Sequence, residues 1–235
     1  MSNLKRLLEN LLLNEAHLGK FNMDQFKRIA TSAGRVAYLE DCHLPMLGEG
    51  SSRAVYALST SKVLKIAKFT NYEAGKAQNE AEVSVWTNPE TKEIAARIFD
   101  FSEDYAWIVM EIAKPFSNTK YELEIELEIP YPKYLGIYDL IKIITGQGDL
   151  DEFIRYNLPE GDDPSGYDQA KSSIEDYVAD LPPFMKTLLK LIENNDLDPG
   201  DIHPGHFGKT VDGRIVLFDY GLTNEVYNTH YRYEE

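Results

Sequence analysis

Residues 198–221 read DPGDIHPGHFGKTVDGRIVLFDYG. This stretch combines aspartates with two histidines and five glycines, and it reads as a loop, a short hairpin and a second loop. Asp201 and Asp219 each lie at the edge of a short apolar run, and the segment VLFDYG places Asp219 at the end of a buried strand. Mg²⁺ prefers one or two carboxylates together with phosphate oxygens. The stretch therefore predicts a site for a metal-bound phosphate.

The composition of the whole chain is that of a globular protein. Of its 235 residues, 43% are hydrophobic and 27% are charged, and no uncharged run is long enough to cross a bilayer. The acidic residues Glu9 and Glu15 interrupt the first apolar segment, which is unlike a secretory signal. A single cysteine, Cys42, excludes an internal disulfide and suits a reducing compartment. We therefore expect a cytoplasmic protein with no membrane partner.

The formal net charge of −15 argues against nucleic acid as a partner, because the phosphate backbone would repel the chain. The charge is uneven: residues 1–117 are nearly neutral, whereas residues 118–235 carry 10 basic and 24 acidic residues. A well-solvated acidic surface is the simpler interpretation, and attraction to a basic partner or to magnesium is the alternative.

Two helices are predicted at the N-terminus. Leucines at helical spacing predict the first, over residues 3–15, and the second runs from Met23 to about Ala33, with Phe26, Ile29 and Ala30 on one side. A break at Cys42 to Pro45 precedes the first strand.

The segment LGEGSSRAVYAL, which begins at Leu47, predicts a turn rich in Gly and Ser, and STSKVLKIAKF predicts the following strand. Gly48 and Gly50 would let backbone amides approach a phosphate, although many hairpins carry such residues for the turn alone. Lys65 lies between apolar neighbours on its strand, so its side chain either extends to solvent or meets an anion.

The next segments complete a sheet with one helix. Residues 73–87 have helical spacing, and the runs on either side of the turn SEDY predict a further hairpin that ends at Lys114-Pro115. Residues 47–114 are therefore predicted to form an antiparallel sheet with one helix.

Beyond this sheet the prediction is mostly helical. Strict alternation of apolar residues and glutamates from Tyr121 to Ile129 predicts one exposed strand with an acidic face. Helical spacing follows over residues 135–156, the segment LPEGDDPSG over 158–166 predicts a loop, and Pro183 to Asn194 predicts a long helix.

The order and spacing of these motifs resemble the protein-kinase fold over residues 47–222. Gly48-Glu49-Gly50 followed by Val55 resembles the start of the Gly-rich loop, and Lys65 in VLK resembles the strand lysine of kinases. Asp219-Tyr220-Gly221 resembles the Asp-Phe-Gly motif, and Asp201 lies where the base of the catalytic loop belongs. The resemblance implies an α+β, two-lobed fold, with an antiparallel sheet and one helix in the N-lobe and a reduced, mostly helical C-lobe.

The resemblance also implies a division of the chain and a nucleotide site. The segments are a helical extension over 1–46, the N-lobe over 47–114, and a minimal C-lobe over 115–235. Met110-Glu111-Ile112-Ala113 is similar to the hinge that contacts adenine. The residues implied for ATP are Gly48, Gly50, Ser51, Ser52, Val55, Lys65, Met110, Glu111 and Ala113.

The resemblance gives each reacting group a role. Lys65, held by Glu82 in preference to Glu80, would orient the α- and β-phosphates, and Asp201 would orient the acceptor hydroxyl. Mg²⁺ would be held by Asp219 and by His206, which lies where kinases have asparagine.

Three features depart from the kinase pattern. Arg53 replaces the third loop glycine, Pro199 replaces the histidine before the catalytic aspartate, and the nitrogen ligand of His206 suits magnesium poorly. The leading expectation is an ATP-dependent phosphotransferase acting on a hydroxyl of a protein or a small molecule. The alternative is a pseudokinase that senses nucleotide or binds a partner without catalysis.

Two further resemblances concern the origin and chemistry of the chain. The motif DIHPGHFG resembles aminoglycoside-type and small-molecule kinases, and small kinase-like proteins of bacteriophages, more than it resembles eukaryotic protein kinases. Leu13-Asn14-Glu15 is similar to cleavage sites of phage head-maturation proteases, and a phage protein would lie in the host cytoplasm or the virion.

A less favoured alternative for the chemistry of the site is an iron site formed by Asp201, His203 and His206.

Overall fold

The computed structural model describes residues 20–116, 122–129, 136–157 and 164–232. The predicted helix over residues 3–15 and the predicted cleavage site lie outside the described residues. The helices are α1 (Met23–Arg28), α2 (Ser32–Asp41), α3 (Tyr72–Thr87), α4 (Glu122–Glu126), α5 (Ile137–Ile144), α6 (Leu150–Asn157), α7 (Pro164–Ala179), α8 (Pro183–Asn194) and α9 (Asn224–His230). The strands are β1 (Met46–Glu49), β2 (Arg53–Ala57), β3 (Lys62–Ala67), β4 (Ile98–Phe101), β5 (Trp107–Glu111), β6 (Ala113–Pro115), β7 (Phe207–Thr210) and β8 (Ile215–Leu217).

The fold is α+β, as the sequence predicts at that level. A five-stranded antiparallel sheet has the order β1-β2-β3-β5-β4, and a three-stranded antiparallel sheet has the order β6-β7-β8. Residues 95 and 96, just before β4, pair with Leu217 of β8, which connects the two sheets.

Both faces of the five-stranded sheet are covered, so its central strands are apolar on both sides. On one face, Leu64 and Trp107 pack with Phe26 and Leu39 of the two N-terminal helices. On the other face, residues such as Met110 join α3 and the later helices in a larger hydrophobic cluster. Burial on both faces explains why β5, and β3 apart from its lysines, is apolar at successive positions rather than at alternating ones.

The predicted second helix from Met23 to Ala33 is wrong, because two helices occupy that region. The first helix, α1, ends at Arg28, and Thr31 begins α2 by accepting a hydrogen bond at its side chain from the Gly34 amide. Threonine is a favoured N-cap residue, so a local capping contact interrupts the helical spacing.

The predicted strand with an acidic face is also wrong over residues 122–129, where the chain forms α4 followed by a turn. Leu123 and Leu127, four residues apart, are buried, whereas Ile125 is 71% exposed. Four-residue spacing puts the two leucines on one helical face, which a strict two-residue alternation also permits. Glu124 is buried rather than solvated, and its Oε1 accepts a hydrogen bond from the Ile137 amide at 3.3 Å.

Other boundaries differ from the prediction. Helical spacing over 135–156 belongs to two helices, separated by a turn in which Gly146 has a φ of +74°. The predicted loop over 158–166 is too long, because α7 begins at Pro164. The strand that ends the second hairpin stops at Glu111, and Lys114-Pro115 lie in β6, which pairs with β7.

Helix α3, the predicted antiparallel sheet and the helix from Pro183 to Asn194 are confirmed. Among the helices that the structure describes, none combines the length and the hydropathy that a membrane crossing requires.

Candidate functional site

Lys65 lies in the middle of β3 with its ammonium group buried. Its Nζ donates to Glu82 Oε1 at 2.8 Å and to the Phe218 carbonyl oxygen at 2.7 Å, and it lies 3.6 Å from Asp219 Oδ1. A buried ammonium needs such partners, because an unpaired charge away from water is costly. The strand lysine is therefore held at the end of the segment that contains Asp219.

Glu82 is fully buried on the face of α3 that meets β3, whereas Glu80 of the same helix is exposed. The Oε1 atom of Glu82 accepts from Lys65 and also lies 2.8 Å from Arg53 NH1. No described residue forms a hydrogen bond to its Oε2. One carboxylate oxygen thus contacts two cations.

Arg53, at the position of the missing loop glycine, is the second cation of this network. Its NH2 donates to Asp219 Oδ1 at 2.6 Å, and its NH1 also donates to Asn79 Oδ1 at 3.4 Å. Burial lowers the pKa of Arg53, but the negative charges of Glu82 and Asp219 outweigh it and raise the pKa well above its usual value. The guanidinium remains charged at every accessible pH.

The strand register explains why Arg53 reaches this place. Val55 pairs with Lys65 and Arg53 pairs with Ala67 in the β2–β3 hairpin, and directly opposed residues share a face of the sheet. Arg53 therefore points to the same side as Lys65. In the sequence Arg53 stands out only as a departure from the kinase pattern, although its two-residue spacing from Val55 in the predicted hairpin is a signal that it shares a face with the residue opposite Lys65.

Asp219 follows β8 and remains ionised. Its enclosure in the cleft raises its pKa, but the charges of Lys65 and Arg53 overcome that effect and hold the pKa well below its ordinary value. The neighbouring Tyr220 is buried, and its hydroxyl donates to the Ala96 carbonyl at 3.0 Å. Asp219 Oδ1 faces the two cations, while Oδ2 lies 3.9 Å from His206 Nε2.

Gly221 permits this arrangement by its size. A Cβ atom there would lie 2.6 Å from the Gln78 carbonyl oxygen of α3, closer than real Cβ atoms come. The chain after Asp219 can therefore pass directly against the helix that carries Glu82.

Asp201 and His206 lie in two short 3₁₀ turns, Pro199–Asp201 and Pro204–His206. His206 Nδ1 lies 3.7 Å from Asp201 Oδ2, so the imidazole stands between Asp201 and Asp219. Burial, with added repulsion from Asp219 and Asp198, raises the pKa of Asp201 to about 7. Burial also lowers the pKa of His206, although Asp219 opposes that shift.

His203 lies next to this pair but is engaged elsewhere. Its Nδ1 accepts a hydrogen bond from the Gly205 amide at 3.1 Å, and its ring centre is 3.8 Å from that of His206. Ligand atoms of Asp201, His203 and His206 lie within 4.8 Å of one another. In the neutral ring, a Nδ1 that accepts leaves the proton on Nε2, so His203 has no free nitrogen lone pair for a metal while this turn persists.

The Gly-rich turn lies over this network. Gly48 pairs with Val55 across β1 and β2, and the Gly50 amide donates to the Arg53 carbonyl at 2.8 Å. Ser51 is exposed, whereas Ser52 is buried. The Ser52 hydroxyl donates to Gln78 Oε1 at 2.9 Å, so it is not a free donor for a ligand.

The predicted hinge residues border a separate recess. Met110 is fully buried in β5, and Glu111 pairs through its Oε2 with Arg214 at 2.5 Å. The Glu111 amide donates to the Arg97 carbonyl at 2.7 Å. Together with Ala113, these residues line a largely apolar cavity of about 180 Å³.

A second cavity, of about 360 Å³, adjoins the first. Val55, Lys65 and Asp219 line both cavities. Asp201 and His206 face the larger one, which is closed on the other side by Gln78, Leu222, Tyr227 and Tyr231. The last four residues carry no motif and were not foreseen from the sequence.

The predicted site residues thus fall into two groups. The network of Lys65, Glu82 and Asp219, with His206 and Asp201 beside it, lies at the junction of the two cavities. Gly48, Val55, Met110, Glu111 and Ala113 line the smaller cavity, and Gly50, Ser51, Ser52 and Val55 line the larger one.

No protein-family model matches the chain, and no curated protein sequence matches it. Among solved structures, SAICAR synthase from Saccharomyces cerevisiae, complexed with SAICAR, is similar at 12% sequence identity and a TM-score of 0.36. The similarity covers 77% of this chain and 74% of that chain, and at this TM-score it carries no argument about function.

Proposed function

We propose that this protein is an ATP-dependent phosphotransferase with a two-lobed, kinase-like fold, which transfers the γ-phosphate to a hydroxyl of a protein or a small molecule. Residues 47–114 form the N-lobe in this proposal, residues 115–235 form the minimal C-lobe, and residues 1–46 are a helical extension. The observation that carries the proposal is the buried Lys65–Glu82 ion pair, which faces Asp219 where two cavities meet.

The two cavities suit the two ends of a nucleotide. The smaller one, with apolar walls that include Met110 and Val55, would hold adenine, and Glu111 and Ala113 supply the backbone beside it. The phosphates would then extend past Lys65 beneath Gly48, Gly50, Ser51 and the buried Ser52. A buried ammonium with two protein acceptors is rigidly placed, so it can orient phosphates without reorganising.

The chain supplies an ionised carboxylate for a metal and an acid of raised pKa for the acceptor. Asp219 lines both cavities, its Oδ2 lies 3.9 Å from His206 Nε2, and Mg²⁺ bound at this carboxylate would neutralise charge on the β- and γ-phosphates. Asp201 lines the same cavity, and its pKa of about 7 allows it to hold or release a proton near neutral pH. Asp201 would thus orient the acceptor hydroxyl and accept its proton.

Radiolabelled ATP tests the proposal directly. Tag-free protein is incubated with γ-labelled ATP and a divalent cation, alone, with cell lysate and with small hydroxyl compounds. We expect label transfer that falls by about 100-fold or more in Asp201→Asn and in Glu82→Gln. Glu80→Gln, on the exposed side of the same helix, is the matched control and should retain transfer. Equal transfer by wild type and Asp201→Asn would refute the role given to Asp201.

A pseudokinase is the second candidate, and one contact favours it. Arg53 lies 2.6 Å from Asp219 Oδ1, so a protein cation already occupies one oxygen of the expected metal ligand. Pro199 also stands where kinases have a histidine. For a module that binds only a partner, the melting temperature would not change on addition of ATP with or without Mg²⁺. A magnesium-dependent shift of the melting temperature with ATP would exclude a pseudokinase that binds no nucleotide.

A further inference from the structure

His206 and Asp219 present one nitrogen and one oxygen to the same point. His206 Nε2 lies 3.9 Å from Asp219 Oδ2, and both residues line the 360 Å³ cavity. Nitrogen and oxygen ligands bind first-row metal ions at about 2.0–2.2 Å, so neighbouring ligand atoms on one ion are separated by roughly 3.0–3.6 Å. The observed separation is slightly longer, so a small side-chain rotation would bring both atoms onto one ion.

The surroundings leave these two atoms available. Arg53 and Lys65 both approach Asp219 at Oδ1, and no described residue forms a hydrogen bond to Oδ2. The other imidazole nitrogen, Nδ1 of His206, is buried without a hydrogen-bond partner among the described residues and lies 3.7 Å from Asp201 Oδ2. A histidine that binds a metal through one nitrogen commonly directs its other N–H at a carboxylate, and Asp201 is placed for that role.

This donor set does not fit magnesium well. Mg²⁺ demands oxygen ligands, whereas imidazole suits first-row transition ions. We infer that the site selects a first-row transition-metal dication over Mg²⁺, through His206 Nε2 and Asp219 Oδ2. The inference rests on the metal site of the proposed function and changes the ion that the site takes.

The neighbouring histidine distinguishes this site from the iron site considered above. His203 Nδ1 accepts the Gly205 amide, which leaves the ring proton on Nε2. His203 is therefore not a ligand. Asparagine is a good N-cap residue, so His203→Asn keeps the local turn while it removes the second imidazole.

Metal titrations without nucleotide test the inference. Tag-free protein is freed of metal with a chelator and dialysed, and then titrated with Co²⁺, followed by its visible absorption, and with Mg²⁺, followed by calorimetry. We expect wild type to prefer Co²⁺ over Mg²⁺, and we expect that preference to fall by about 10-fold or more in His206→Asn. His203→Asn should keep the wild-type preference, and Asp219→Asn should weaken the binding of both ions.

Three outcomes would overturn the inference: equal ion preference in wild type and His206→Asn, loss of Co²⁺ binding in His203→Asn, or unchanged Co²⁺ binding in Asp219→Asn. Circular dichroism of each metal-free variant verifies folding. As a measurement on the unmodified chain, Zn²⁺ added to ¹⁵N-histidine-labelled wild type should shift the Nε2 resonance of His206 and not that of His203. A shift confined to His203 would contradict the assignment.

The outcome is separable from that of the proposed function. Selective metal binding without any ATP binding or phosphate transfer would leave the metal inference standing and defeat the phosphotransferase. If Mg²⁺ supported phosphate transfer equally in wild type and in His206→Asn, the phosphotransferase proposal would stand and the metal inference would fail.

Discussion

The ionised form of Asp201 is unfavourable in the folded protein, so this residue lowers stability above neutral pH. Burial, Asp219 and Asp198 all raise the pKa of Asp201, to about 7 in the folded chain, against about 4 for an aspartate in an unfolded one. Between these values the folded state binds more protons than the unfolded state. Stability therefore falls as the pH rises through this window, and the loss is complete above pH 7.

Asp201→Asn should remove that cost. The side chain is one-quarter exposed, so solvent moderates the effect, and we expect the variant to be more stable than wild type by about 2 kcal/mol at pH 8. The difference should disappear below about pH 4, where both states of wild type are protonated. Urea unfolding at a series of pH values measures it, with the exposed Asp180→Asn as the control. A variant less stable than wild type at pH 8 would contradict the assigned cause.

At this scale the sequence identified several groups that meet in the structure. Lys65 and Asp219 are recognisable because each lies within a short motif, and Glu82 because it is one of two interior acids of the predicted helix that follows the Lys65 strand. Arg53 was not assigned a contact, because its role depends on which residues oppose it across the β2–β3 hairpin. The walls of the larger cavity, such as Tyr231, could not be predicted, since no local pattern signals which distant element closes a cavity.

At the scale of elements, α4 shows how one pattern supports two structures. Alternation of apolar residues with glutamates fits a strand, but the positions of Leu123 and Leu127 also fit one face of a helix. Tertiary packing decides the outcome: both leucines are buried, and Glu124 receives the amide at the start of α5. The longer elements α3 and α8 were predictable because several apolar residues repeat at helical spacing.

The close contact between α3 and the chain after β8 predicts that a larger side chain at position 221 is destabilising. Gly221→Ala would place a Cβ 2.6 Å from the Gln78 carbonyl, so α3 must move, and we expect a loss of about 2 kcal/mol of stability. Gly166→Ala is the matched control: nothing lies within 4 Å of its Cβ, and it lies within α7. That control should be stabilising by about 0.5 kcal/mol. Chemical denaturation of both variants measures the contrast, and equal effects would contradict it.

At the scale of the whole molecule, one hydrophobic cluster runs from the five-stranded sheet into the later helices. It contains Met110 of β5 and Leu188 of α8, both fully buried. A shared core couples the parts that contribute to it, so we expect the sheet and the helices to unfold in one transition. This continuity could not be predicted from the sequence, because the apolar face of each element is readable while its partner is not.

Leu188→Ala tests this coupling. Removing a fully buried leucine should cost about 3 kcal/mol, and the half-buried neighbour Leu189→Ala should cost less. Both tryptophans, Trp86 and Trp107, lie in α3 and β5, so their fluorescence reports on the sheet region, whereas far-ultraviolet circular dichroism is dominated by the helices. The two probes should shift together. A shift in circular dichroism alone would indicate separately unfolding parts.

Gln78 uses both ends of its amide to connect segments that are far apart in the chain. Its Oε1 accepts from Ser52 at 2.9 Å, and its Nε2 donates to the Tyr231 hydroxyl at 3.0 Å. A change at one of the three positions leaves a polar partner unsatisfied beside the cavity. We therefore expect positions 52, 78 and 231 to vary together among relatives of this chain, because a substitution at one position removes a hydrogen-bond partner of another.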